Sequence, residues 1–166
     1  MSNKLSKVNH PQMVKRTMEQ VVAFHNFAQL QLVKMTGTKR TVFEVRLQRA
    51  FDGITPLIKK YVRKVEKTRE ALASIDDLTK MYQKRVIGRN ERSGQDIEDF
   101  VFTREASEQL DAKMQALLEE VVDVEPFYIP KTDLIPQNFN NFEIRLLEGF
   151  VISSEQLNDI LYTPHG

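Results

Sequence analysis

The chain has 166 residues, 41% of them hydrophobic and 28% charged, with 24 Lys and Arg against 23 Asp and Glu and no cysteine. That length suits a single domain, 1–166, with a core of its own, and the composition is that of a folded protein rather than a disordered one. Without cysteine there is no disulfide framework, no thiolate zinc site and no cysteine nucleophile.

Residues 1–10 are polar and read as a flexible segment. The opening Met1-Ser2-Asn3-Lys4-Leu5 leads into no apolar stretch of signal-peptide length, and runs such as Val21-Val22-Ala23-Phe24 are too short for a membrane span, so a soluble, cytoplasmic protein is expected. A first helix is expected from near Asn9, with Pro11 in its opening turn. Val14, Met18, Val21, His25, Ala28, Leu32 and Met35 recur at spacings of four and three, with Phe24 and Phe27 beside them, and Gly37 is the expected terminator. A second, long helical pattern runs from Thr41 to about Ile87 through Val45, Ile54, Leu57, Ile58, Tyr61, Val65, Leu72, Ile75, Leu78 and Tyr82. Gly53 and Pro56 interrupt it, which predicts either two helices or one kinked near 52–56. Gly88 to Gly94 reads as a loop and Gln95 to Phe102 as a short strand. Thr103 is placed to cap a third helix with Leu110, Met114, Leu117, Leu118 and Val121 on its apolar face. Val122-Asp123-Val124 and Phe142-Glu143-Ile144-Arg145-Leu146 alternate, and predict a small antiparallel hairpin around a loop from Asp133 to Asn141, with Pro126 and Pro130 keeping it irregular. Ser153 and Gln156 make a capping box for a short closing helix. The expected fold is α+β and mainly α: three or four helices including one long one, a small β-hairpin and a short C-terminal helix.

Charge is sorted along the chain. Lys34 to Arg69 holds 11 Lys and Arg against 3 Asp and Glu; Asp96 to Glu125 holds 2 against 10. Such blocks either neutralise each other or offer surfaces to partners. Lys59, Lys60, Arg63, Lys64 and Lys67 fall mostly on one helical face, where they would suit phosphate contacts. Their aromatic neighbours, Tyr61 and Phe51, lie on or near the apolar stripe instead of being interleaved for stacking, and the near-zero net charge favours a solvated or internally paired face. Arg85, Arg89 and Arg92 with Gly88 and Gly94 resemble an anion cradle, but the loop follows a helix C-terminus and matches no phosphate-loop spacing. Asp96, Glu98 and Asp99 lack the spacing of a calcium loop, and no metal is expected. Glu119 and Glu120 point about 100° apart on a helix, so they are no facing acid/base pair. His25 reads as a core histidine, His10 and His165 are terminal, and no catalytic triad or zinc motif assembles. The chain is expected to be a non-enzyme with no cofactor. Phe127, Tyr128, Ile129, Phe139, Phe142 and Phe150 concentrate aromatic mass in an irregular segment, suited either to plugging a core or to anchoring a partner.

Leu78 and Tyr82 close a Lys- and Glu-rich helix. Gln109-Leu110 and Ala116-Leu117-Leu118 follow, then Val122-Asp123-Val124, Ile129-Pro130-Lys131 and Ile152-Ser153-Ser154-Glu155-Gln156-Leu157. Over about residues 55–162 this pattern resembles small, mostly helical proteins of unknown function encoded by tailed bacteriophages. The stretch from Asn9 to Met35 is longer than in that group and the loop from Thr132 to Asn141 is enlarged. The resemblance brings no catalytic residues. It implies a phage product in the host cell cytoplasm that acts by binding.

The first expectation is thus an interaction protein that binds and modulates a host or phage protein, with Phe127, Tyr128, Phe139, Phe142, Glu119 and Glu120 as the contact. Two alternatives stand beside it. One is a virion or assembly component that forms homo-oligomers through its long helix. The other is a nucleic-acid or nucleotide-binding module using the basic helix or the Arg85 loop. No membrane partner is expected.

Overall fold

In the computed structural model, which describes residues 12–35, 37 and 39–162, the elements follow the order β1 (Val14–Thr17), α1 (Met18–Lys34), α2 (Val42–Leu72), β2 (Lys84–Arg89), β3 (Asp96–Phe100), α3 (Arg104–Glu119), β4 (Val121–Val124), α4 (Lys131–Leu134), a 3-10 turn (Ile135–Gln137), α5 (Asn141–Leu146) and α6 (Ser154–Tyr162). Thr17 decides where α1 starts. Its side chain accepts from the Gln20 N–H at 3.3 Å, and Gln20 accepts from the Thr17 N–H at 2.9 Å, satisfying two donors that a helix start leaves open. Asn9 and Pro11, the expected start, lie outside the described residues. Val14 belongs to a strand rather than to the helical stripe, because β1 pairs antiparallel with β4, Val14 opposite Val124 and Thr17 opposite Val121.

The helix α2 runs unbroken for 31 residues with Pro56 inside it. Proline there removes one hydrogen bond and costs about 3 kcal/mol. Phe43, Leu47, Ala50 and Ile54 offset it: they line one face and are buried, and each large one contributes about 1.5–3 kcal/mol. The helix ends at Leu72, fifteen residues before the expected Ile87. Backbone pairing replaces it, with the Ser74 N–H donating to the Val101 carbonyl and the Gln83 N–H to the Ser74 carbonyl. Asp76 then accepts from the Leu78 and Thr79 N–H groups, both at 2.9 Å. Short acidic side chains that bond local backbone in this way compete with a helix. Ile75, Leu78 and Tyr82, expected on a buried stripe, are consequently exposed.

Tyr82 to Arg89 also departs from expectation, whereas β3 falls within the strand expected over 95–102. Gly88 and Arg89 are in a strand, not a loop: β2 pairs antiparallel with β3, with a bulge at Ile87 between the pairs Val86/Glu98 and Gly88/Ile97. The turn between them is capped by Asn90, which accepts from Arg92 and Ser93, and Gly94 closes it at φ +70°. Thr103 caps α3 through the Ala106 N–H, as its position suggests. The hairpin expected between 122–124 and 142–146 does not form. Asn140 and Glu143 make a capping box that starts α5 in the alternating segment, and α4 and the 3-10 turn occupy much of the expected loop. Ser153 and Gln156 do cap α6 reciprocally, at 2.8 and 3.1 Å. Among the described residues the fold is α+β and mainly helical, with six α-helices rather than three or four and two small antiparallel sheets rather than one.

The chain divides into two compact units, the first comprising 1–58 and 121–166 and the second 59–120. The first unit holds the core. Phe24 stacks on Phe150 with ring centres 4.1 Å apart, and Val21, Phe43, Leu47, Leu147 and Val151 are fully buried in the same unit. In the second unit Ala73 and Leu110 are the buried hydrophobic side chains among the described residues, and they keep 9% and 8% of their surface exposed. No helix among those residues is long and apolar enough to cross a membrane.

Candidate interaction surfaces

The aromatic segment is mostly core. The Phe127 N–H donates to the Phe150 carbonyl and the Ile129 N–H to that of Val151, so 127–129 runs beside 150–152. The Phe127 ring lies 3.9 Å from where a Cβ on Gly53 would stand, and Phe139 packs against Phe27 and Phe43 at 5.3 and 5.6 Å. Tyr128 is partly exposed, and burial pushes its phenol above the usual range, with Glu148 adding to the shift and Arg16 opposing it. Phe142 alone of the four stands well out, 70% exposed, at the rim of a hollow of ≈ 350 Å³ that Arg16, Arg145 and Glu148 also line.

Arg16, which sequence reasoning passed over, organises this corner. Its Nε is buried without a hydrogen bond. The guanidinium sits 5.8 Å from the Phe150 ring centre and 4.0 Å from Glu148. Gly149 makes room for it: φ is +84°, and a Cβ there would come within 2.8 Å of Arg16 Cδ. The only hint in the sequence is an arginine in an otherwise short-range strand, and its partners lie about 130 residues on.

Among the described residues the sorted charges neutralise each other at two points. Lys64 meets Glu120 at 3.0 Å and Arg69 pairs with Asp99. That pairing lowers the Asp99 carboxyl below its ordinary range. Among the described residues Lys59, Lys60, Arg63 and Lys67 are exposed and make no ion pair. Glu119 accepts from Gln115 on its own helix at 3.0 Å. The proposed arginine cradle is not a loop: Arg85 and Arg89 are on β2, Arg92 is in the turn, and Arg89 bridges to Asp96 at 3.6 Å. Asp96 and Glu98 share one face of β3 and Asp99 lies on the other, and no group of three or more acidic or histidine side chains among the described residues is arranged to hold a metal ion. His25 stacks on Phe51 at 4.7 Å; His10 and His165 lie outside the described residues.

No known protein family, no curated protein and no solved structure matches the chain. Function therefore has to be read from the surfaces themselves. The least expected is in the second unit. Val62, Ile75, Leu78, Met81, Tyr82, Val86, Ile87 and Ile97 are all exposed there, from 43% for Tyr82 to 94% for Leu78. Val62 is on α2 and the other seven lie between Ile75 and Ile97; folded monomers scatter single apolar side chains over their surface but seldom gather so many in one short segment.

Proposed function

We propose that the chain is a non-catalytic interaction protein whose second unit is completed by a protein partner. The observation that carries this reading is the imbalance of burial: between 59 and 120, two hydrophobic side chains are buried while eight large ones are exposed. A unit this small with so little core gains little from its own packing, and covering its apolar side chains would contribute roughly 25 cal/mol per Å². The contact thus centres on residues 75–97 instead of on Phe127 and Phe139. Phe142 and Tyr128 remain available as a lesser site. The resemblance to phage-encoded proteins supplies the setting, an infected bacterium, and rests on sequence pattern alone.

A photo-crosslinking residue at position 87, in cells producing the protein, tests this. A discrete adduct is expected at Ile87 and is lost on combining Val86→Glu with Ile97→Glu, while the melting of the first unit is unchanged. No adduct above that given by a probe at exposed Val33 would remove the reading.

A second reading is favoured by four exposed cations on α2 that make no ion pair among the described residues. If Lys59, Lys60, Arg63 and Lys67 each meet a phosphate, the logarithm of affinity for an oligonucleotide falls against that of salt with a slope of about −3 to −4. Absence of binding at low salt removes it.

A further inference from the structure

The ribbon carries its charges strand by strand. β2 is basic, with Lys84, Arg85 and Arg89, and β3 is acidic, with Asp96, Glu98 and Asp99. Residues directly opposite in an antiparallel pair share a face, so Lys84 with Phe100, Val86 with Glu98 and Arg89 with Asp96 lie on one side. Tyr82, two residues before Lys84, and its partner Ile75 continue the same side. That face therefore has an apolar part made by Ile75, Tyr82, Val86 and Phe100. It also has two cations on one strand and two carboxylates on the other.

We infer that this face binds its counterpart on a second copy of the chain, the two ribbons stacked so that basic β2 of each lies over acidic β3 of the other. Charge selects this arrangement. A two-fold axis between the ribbons and parallel to the strands carries basic β2 of each over acidic β3 of the other, with Arg89 facing Asp96 and Lys84 diagonal to Glu98. An axis across the strands stacks β2 on β2, and joining edges pairs β2 with β2 or β3 with β3; all of these oppose like charges, which is destabilising. Two-fold dimers are the commonest closed assemblies, and their surfaces must be self-complementary in this way. Exposed Ile75, Tyr82 and Val86 supply the apolar contacts, with Lys84 and Glu98 interleaved among them and Arg89 and Asp96 at the far end of the face. The inference rests on the proposed role of the second unit and names its partner.

Light scattering of the whole chain, from low micromolar to near-millimolar concentration, should show a mass rising from 19.3 kDa towards twice that value. Asp96→Lys with Glu98→Lys makes both strands basic, and Lys84→Glu with Arg89→Glu makes both acidic. Each double variant should stay monomeric alone, and an equimolar mixture should recover the dimer. Val86→Glu, which leaves the strand charges in place, should also be monomeric and serves if the charge variants lose the hairpin by circular dichroism. A constant 19.3 kDa mass overturns the inference, as does undiminished dimerisation of either charge variant. A monomer that still gives the adduct at position 87 has a different protein on this face: the second copy is then wrong and the interaction role stands.

Discussion

At the scale of single residues, the strongest constraints are in the first unit. Gly149 sits at positive φ against the stem of Arg16. Gly149→Ala is therefore expected to cost about 1–3 kcal/mol, through backbone strain and overpacking together. Gly88→Ala, where a Cβ meets nothing within 4 Å, is the control and should leave the thermal midpoint in place. Phe150→Ala removes a ring stacked on Phe24 in a fully buried site and should cost about 3–5 kcal/mol, whereas Phe142→Ala at the exposed rim should stay within about 0.5 kcal/mol. Asp99 gives the second unit a pH dependence. Its hydrogen bond from Arg69 holds the folded-state pKa below the ordinary carboxylate value. The contribution is thus complete above that ordinary value, about 3.9, and is lost as pH falls through the depressed folded value. Acid unfolding of the ribbon, followed by amide exchange, should shift accordingly, and Asp99→Asn should remove that part of the dependence.

At the scale of elements, Pro56 gives a direct test of what holds α2 together. If burial of Phe43, Leu47, Ala50 and Ile54 carries the helix across it, Pro56→Ala should stabilise the protein. The gain is a lost penalty of about 3 kcal/mol less about 0.4–1 kcal/mol for a freer unfolded chain. A fall in stability would mean that proline fits its site better than the missing hydrogen bond suggests. Elements with a local chemical mark were legible in the sequence: Thr103 caps α3, the Ser153 and Gln156 box opens α6, and apolar spacing marks α2 as helical, although Gly53 and Pro56 predict a break or kink there and the helix is continuous. Elements decided by distant partners were not. Val14–Thr17 is too short to reveal its period and becomes a strand only by meeting Val121–Val124. Phe142 to Leu146 alternates like a strand, yet Asn140 and Glu143 cap it as a helix, and a five-residue alternation cannot outweigh a cap. The stripe through Ile75, Leu78 and Tyr82 misled for a related reason. Helical spacing persists by chance where Asp76 has already turned the backbone. The candidate site suffered most, since the aromatics of 127–150 go largely into the core, while the sequence pattern marks only the second strand of the exposed apolar ribbon and suggests helix and loop for the first.

At the scale of the whole molecule, one unit is packed and the other is not, and the opposed charge blocks do not repair the difference. Among the described residues, Lys64 with Glu120 and Arg69 with Asp99 are the ion pairs that join them. Reversing Lys60, Arg63 and Lys67 together should therefore change stability by no more than about 0.5 kcal/mol per site, and mutual neutralisation of the blocks would require a clear loss. Stability that differs between the units also predicts where the chain opens first, because local unfolding follows the density of buried apolar contacts. Residue-resolved hydrogen exchange on the dilute chain tests this most directly. Amides of α1 and of α2 before Pro56 should exchange only through global unfolding, while those of Lys84–Phe100 should exchange far faster and slow down when the surface is covered. Protection of the ribbon equal to that of α1 in dilute solution would show that it needs no cover, and would contradict the account.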